Sequence, residues 1–143
     1  MTAERDDLYA AFEAVFGAQR RLRGRDARLV DGVSLAQSRL LRLLAREGAM
    51  PVGRLAGELG VTAAAATQML DGLQARGLLE RQRLGEDRRV ITIALTDVGR
   101  ARAQESREHH RRLFEAALGG LSDAELRIGA DVLRRCTAYL NSL

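Results

Sequence analysis

At 143 residues the chain can hold one compact lobe with its own core and some attached helices, but not several large domains. It is 46% hydrophobic and 29% charged, ordinary for a soluble globular protein, and no stretch approaches the roughly 18 apolar residues that a membrane span needs, so no membrane partner is expected. The net charge is +4 and all 23 basic residues are arginine; nine stand against six acids between residues 34 and 95, whereas residues 1–33 balance. The excess therefore sits mid-chain, where a polyanion would be engaged.

The single cysteine, Cys136, rules out an internal disulfide and fits a reducing cytoplasm. The acidic, polar start from Met1 to Asp7 does not read as a signal peptide.

A first helix is predicted over about Arg5–Arg25, its stripe running Leu8, Phe12, Val15, Phe16, Gln19 and Leu22. Arginines from Arg20 to Arg28, with Gly24, lead into a loop closed by Asp31 and Gly32. Ser34 with Gln37 three residues on makes a capping box for a second helix, which should turn Ala36, Leu40, Leu43 and Leu44 inward and stop at Gly48. Pro51 opens a short third helix with Val52, Leu55, Ala56 and Leu59 on one face, ended by Gly60. Thr62 caps a fourth, with Ala66, Met69, Leu70 and Leu73 inward and its end at Gly77. Two short helices joined by a tight glycine turn are a helix-turn-helix candidate.

The period then changes to two. Leu78–Leu84 and Val90–Leu95 read as strands, joined through the turn residues Gly85-Glu86-Asp87, so a hairpin follows directly as a wing. Thr96 and Asp97 start a long helix to Leu118 whose centre, Arg102–Arg112, is nearly all polar, as for a helix crossing solvent between two lobes. Gly119-Gly120 breaks it. Ser122 and Glu125 cap a last helix bearing Ile128, Val132, Leu133, Cys136 and Leu140. The fold expected is mainly α with a small β-hairpin. Residues 1–33 form an N-terminal dimerisation helix and linker, 34–96 the winged helix-turn-helix lobe, and 97–143 a connecting helix and C-terminal dimerisation helix. The apolar stripes of the first and last helices are expected to bury together and against a second copy, giving a homodimer; burial within one chain is the alternative.

The N-terminal part of a second helix in such a motif meets base edges in the major groove. With its apolar stripe inward, the fourth helix turns Ala64, Thr67, Gln68, Asp71 and Ala75 outward, with Thr62 and Ala63 at its mouth. Gln68 can bond adenine bidentately, and Thr67 either a base or a phosphate. The run Ala63 to Ala66 offers methyl groups alone, so direct readout should be sparse. Arg39, Arg54 and Arg81 are candidates for phosphates, each with a plain solvated reading beside it.

From Ser34 to Arg100 the sequence closely resembles the MarR family of bacterial transcription regulators. The resemblance rests on Ser34-Leu35-Ala36-Gln37, Arg54-Leu55-Ala56, Asp71-Gly72-Leu73 and Arg76-Gly77-Leu78-Leu79, then Glu80-Arg81, Asp87-Arg88-Arg89, Leu95-Thr96 and Gly99-Arg100; Leu121 to Leu126 is similar to the family's last-helix entry. It departs from the family where hydroxyl or basic residues give way to the alanine run. The resemblance implies a dimer of two winged lobes on a palindromic double-stranded DNA operator, and often a ligand pocket between lobe and dimer interface. It also implies that Arg88 and Arg89, neighbours on a strand, lie near DNA, with Asp87 holding one extended towards a narrow, A·T-rich minor groove.

Tyr9, Phe12 and Phe16 with Arg20 and Arg23 leave two readings open: a pocket for a small aromatic or anionic ligand, or an aromatic core with solvated arginines. His109 and His110 diverge by about 100° on one helix and cannot share an ion from it, so no metal and no cofactor are expected. Cys136 reads as a buried structural cysteine. No nucleophile motif or phosphate-binding glycine loop occurs, so no catalytic residue is assigned and the protein is read as a non-enzyme. The expected function is a ligand-responsive cytoplasmic repressor; the contrasting one is a winged-helix dimer serving as a protein-interaction or architectural module with little specific readout.

Overall fold

The structure, a computed structural model, describes residues 2–24, 28–30, 32–83 and 89–143, with the side chains of 22–24 and 28–30 outside that description. In chain order it runs α1 (Ala3–Gly24), β1 (Arg28–Val30), β2 (Val33–Ser34), α2 (Leu35–Glu47), β3 (Met50–Pro51), α3 (Val52–Leu59), α4 (Ala63–Ala75), β4 (Leu79–Arg83), β5 (Ile91–Leu95), α5 (Asp97–Leu118) and α6 (Asp123–Leu140). Two compact units result, Met1–Arg107 and Glu108–Leu143.

In the first unit the local signals act where the residues place them. The Ser34 hydroxyl accepts from the Gln37 amide at 3.1 Å while the Gln37 side chain accepts from the Ser34 amide at 3.1 Å, satisfying two donors at the start of α2. Gly48 closes α2, its amide donating to the Leu44 carbonyl at 2.9 Å. The buried face of α2 is Leu40, Leu41, Leu43 and Leu44. Ala36, expected inward, is exposed, because it lies in the first turn ahead of the stretch that the core covers.

The sheet has three antiparallel strands in the order β3-β5-β4. Leu79 pairs with Leu95 and Arg83 with Ile91, so β4 and β5 form the expected hairpin; its turn residues Gly85 to Asp87 lie outside the described residues. Two-residue β3 adds a pairing that the sequence did not announce, Met50 with Ile93 and Pro51 with Thr92. The loop expected before Ser34 likewise holds the small β1–β2 pair. The core gathers the leucines of α2 with Met50, Leu55, Leu59, Leu70, Leu73, Leu78, Leu79, Ile93 and Leu95. Each such side chain contributes about 1.5–3 kcal/mol by leaving water, and together they fix α3 and α4 against the sheet.

The expectation for α5 is corrected in its first half. Gly99, Ala103 and Ser106 are buried at helical spacing, and Ala103 belongs to the core. Small residues rather than large apolar ones make this contact, which is why polarity alone read the segment as solvent-crossing. Gly99 is required there: an added Cβ would overlap the Leu78 carbonyl oxygen.

The second unit carries the rest of α5 and α6. The Ser122 hydroxyl accepts from the Glu125 amide at 3.3 Å, and the Glu125 carboxylate accepts from the Ser122 amide at 2.7 Å, the predicted capping box. No residue of α6 is buried; Ile128 is 66% and Leu133 55% exposed, and Cys136 is half-buried rather than buried. His109 and His110 stand with ring centroids 6.0 Å apart, and no group of three metal-ligating side chains occurs among the described residues.

Candidate nucleic-acid interface

The turn between α3 and α4 depends on Gly60, which adopts φ 63°. That left-handed residue lets the Val61 amide return to the Ala56 carbonyl at 3.1 Å, closing α3 and swinging the chain into α4. Thr62 then caps α4, its hydroxyl accepting from the Ala65 amide at 3.1 Å. With Ala66, Leu70 and Leu73 buried beneath, α4 presents Ala63, Ala64, Thr67, Gln68, Asp71 and Ala75 to solvent, the outward set expected from the sequence.

Several of these groups are already committed. The Thr67 hydroxyl donates to the Ala63 carbonyl at 2.9 Å, leaving it an acceptor towards any incoming group. Thr62 is used in capping. Gln68 is exposed and has no side-chain hydrogen bond among the described residues, so it alone on this face offers both a free donor and a free acceptor. Arg81, on β4, donates to the Asp71 carboxylate at 2.6 Å and to the Gln74 side chain. It ties β4 to α4 and has its charge largely answered by Asp71.

Arg54 is exposed on α3, 4.0 Å from the Glu47 carboxylate. Arg89 is exposed in a turn ahead of β5, rather than on a strand beside Arg88 as the sequence suggested. Asp87 and Arg88 lie outside the described residues. On α1, Phe12 and Phe16 meet edge to face at 4.8 Å, Tyr9 is 55% exposed with its hydroxyl donating to Glu13 at 2.9 Å, and Arg20 is exposed; the Arg23 side chain lies outside the described residues.

Sequence reasoning missed a second basic feature. A cleft of about 1020 Å³ in the first unit is lined by Arg39, Arg42 and Arg46 of α2 and Arg100 and Arg107 of α5. Burial first, then the neighbouring Arg39 charge, pull the Arg42 guanidinium below its ordinary value. The spacing of 39, 42 and 46 on one helix face was a legible signal, but arginines on a helix ordinarily mean a solvated face.

Two short helices joined through a left-handed glycine, with the second exposed beside a β-hairpin, define a winged helix-turn-helix protein. A match to the MarR family covers residues 33–91. The chain is 31% identical over 112 residues to YdgJ, an uncharacterised HTH-type transcriptional regulator of Bacillus subtilis, spanning 78% of this chain and 68% of that one. It is 34% identical over 114 residues to the HTH-type transcriptional repressor YetL of the same organism, spanning 76% and 68%. Among solved structures, Streptococcus pneumoniae FabT in complex with DNA superposes with a TM-score of 0.70 at 25% identity, covering 96% of this chain and 95% of that one. The chain belongs to the MarR family, and it is a transcriptional regulator rather than an enzyme.

Proposed function

We propose that the protein is a homodimeric, ligand-responsive repressor that binds a palindromic operator through α4 and the wing and acts in the cytoplasm. The observation that carries the DNA reading is the outer face of α4, where Gln68 stands with free hydrogen-bonding capacity among Ala63, Ala64 and Thr67. Such a face favours one amide contact to a base edge, methyl contacts to thymine, and indirect readout of DNA shape. Arg54 of α3 and Arg89 ahead of β5, both exposed, are assigned phosphate and minor-groove contacts, and the family resemblance assigns Arg88 the same role with Asp87 as its partner. Arg81 serves chiefly to hold the wing against α4. Exposed apolar side chains in both units, Leu8 and Val15 on α1 and Ile128 and Leu133 on α6, support dimerisation by a second copy. The α1 rings are read as part of that interface.

The alanine face also favours a second reading, an architectural dimer with little sequence preference. Titrating duplex DNA from upstream of its own gene against random duplex separates the two. A repressor binds its own sequence selectively, with affinity falling steeply in salt by about 0.9 log unit per log unit of salt for each phosphate neutralised. Arg89→Ala should weaken that binding about ten-fold or more while the dimer persists by light scattering. Equal competition by random DNA at physiological salt would favour the architectural reading.

A further inference from the structure

We propose that the arginine-lined cleft of the first unit is the binding site for a small organic polyanion with an apolar body, such as a multiply carboxylated or phosphorylated metabolite. This rests on the ligand-responsive part of the function proposed above, and it places the ligand not on α1, one of the two readings the sequence left open there, but in the cleft between α2, α3, β5 and α5.

The chemistry is set by which arginines are free to act. Glu58 of α3 is the single acid against five guanidiniums. Arg46 already donates to Glu47 at 3.0 Å, and Arg100 to Asp97 and to the Leu95 carbonyl at 3.3 Å. Arg42 and Arg107 make no ion pair among the described residues. The Arg42 Nε is shielded from solvent and has no hydrogen-bond partner, with the like charge of Arg39 beside it. A half-buried cation without an anion is costly, and an entering anion relieves the desolvation and the repulsion together. Forked guanidiniums on two facing helices suit a ligand with more than one carboxylate or phosphate group.

The cleft has an apolar floor as well, where Leu43, Leu59, Leu95 and Ala103 of the core reach it. A volume of about 1020 Å³ accommodates a metabolite, at the upper end of the roughly 300–1000 Å³ usual for such sites. No residue of α4 lines it, and a DNA backbone has no use for a leucine floor. Glu58 and Leu59, the last residues of α3, also form part of the wall, and only the turn through Gly60 separates them in the chain from α4.

The test is calorimetric titration of the full chain with citrate, phenyl phosphate and inorganic phosphate at matched ionic strength, without DNA. One saturable site per chain is expected for citrate, and tighter binding for phenyl phosphate than for inorganic phosphate. Arg42→Gln and Arg107→Gln should each weaken citrate about ten-fold or more, and Arg42→Lys by less, whereas Arg20→Ala leaves it unchanged. Arg42→Gln should also raise the melting temperature of the free protein, since it removes the strained cation, so its loss of citrate is not a loss of fold. Non-saturable heats, or equal binding by the variants, would overturn the proposal. So would Arg42→Gln weakening operator binding while citrate is unaffected, which would make the cleft a DNA phosphate contact. Citrate binding as expected by a protein that fails to select its own upstream DNA would leave the cleft standing and remove the repressor reading instead.

Discussion

The winged lobe and α6 are comparably regular in sequence, each with caps and an apolar stripe, yet they bury those stripes very differently. In the lobe, Leu40, Leu41, Leu55, Leu70 and Leu73 are fully enclosed, while α6 has no buried residue at all. An apolar stripe states that a face must be covered, and leaves open by what. In the lobe the cover is supplied by neighbours between Val33 and Ala103, the start of α5 included, so that core closes within one chain. For α6 the cover has to be sought elsewhere, and a second copy of the chain is the simplest source.

The largest expected effect tests how tightly the lobe is closed. Gly99→Ala places a methyl group where the Leu78 carbonyl oxygen stands, at a backbone contact that cannot yield as a flexible side chain would. It should cost about 3 kcal/mol or more, read as a drop in the urea midpoint. Gly57→Ala is the control: its added methyl meets nothing within 4 Å, and the gain in helix propensity should stabilise α3 by about 0.5–1 kcal/mol. Equal outcomes for the two would mean that α5 does not pack against Leu78 through Gly99.

Next in size is the loss of assembly. Ile128→Asp and Leu133→Asp change side chains that are more than half exposed in the single chain, so the lobe's unfolding should scarcely move. If these side chains are buried in a dimer, each substitution removes about 1.5–3 kcal/mol, counted twice across a two-fold axis. Light scattering at micromolar concentration should then show monomer, with operator affinity falling in parallel. A dimer that survives both changes would break the contrast drawn between lobe and α6.

What could be read from the sequence follows the same division. Caps, glycine stops and large apolar periodicity are local statements, and they placed α2, α3, α4 and the hairpin to within a residue or two. The outward set on α4 was legible because Ala66, Leu70 and Leu73 fix the helix's phase. Contacts made by small residues were not: Gly99, Ala103 and Ser106 carry no hydrophobic signal, and two-residue β3 is too short to show a period. Nor does a sequence reveal which charges neutralise one another. The Arg81–Asp71 pair and the arginine cleft arise from elements brought together only by the fold.

The smallest effect expected concerns the two capping boxes, which are chemically alike but sit on supported and unsupported helices. Ser34→Ala and Ser122→Ala should each cost about 1 kcal/mol of helix start. On α2 the loss enters the unfolding of the whole lobe, because Leu40, Leu41, Leu43 and Leu44 hold the helix in place once formed. On α6 it should appear as local fraying, a faster amide exchange over the first turn with the lobe's midpoint unchanged. The pH dependence adds a signature. The Ser122 hydroxyl and amide hold the Glu125 carboxyl below its ordinary 4.5, so its share of the cap is complete above that value and fades as pH falls through the lowered one. Exchange at the start of wild-type α6, corrected for its intrinsic pH dependence, should therefore quicken on acidification. At the start of α2, where Gln37 occupies the equivalent place, it should not.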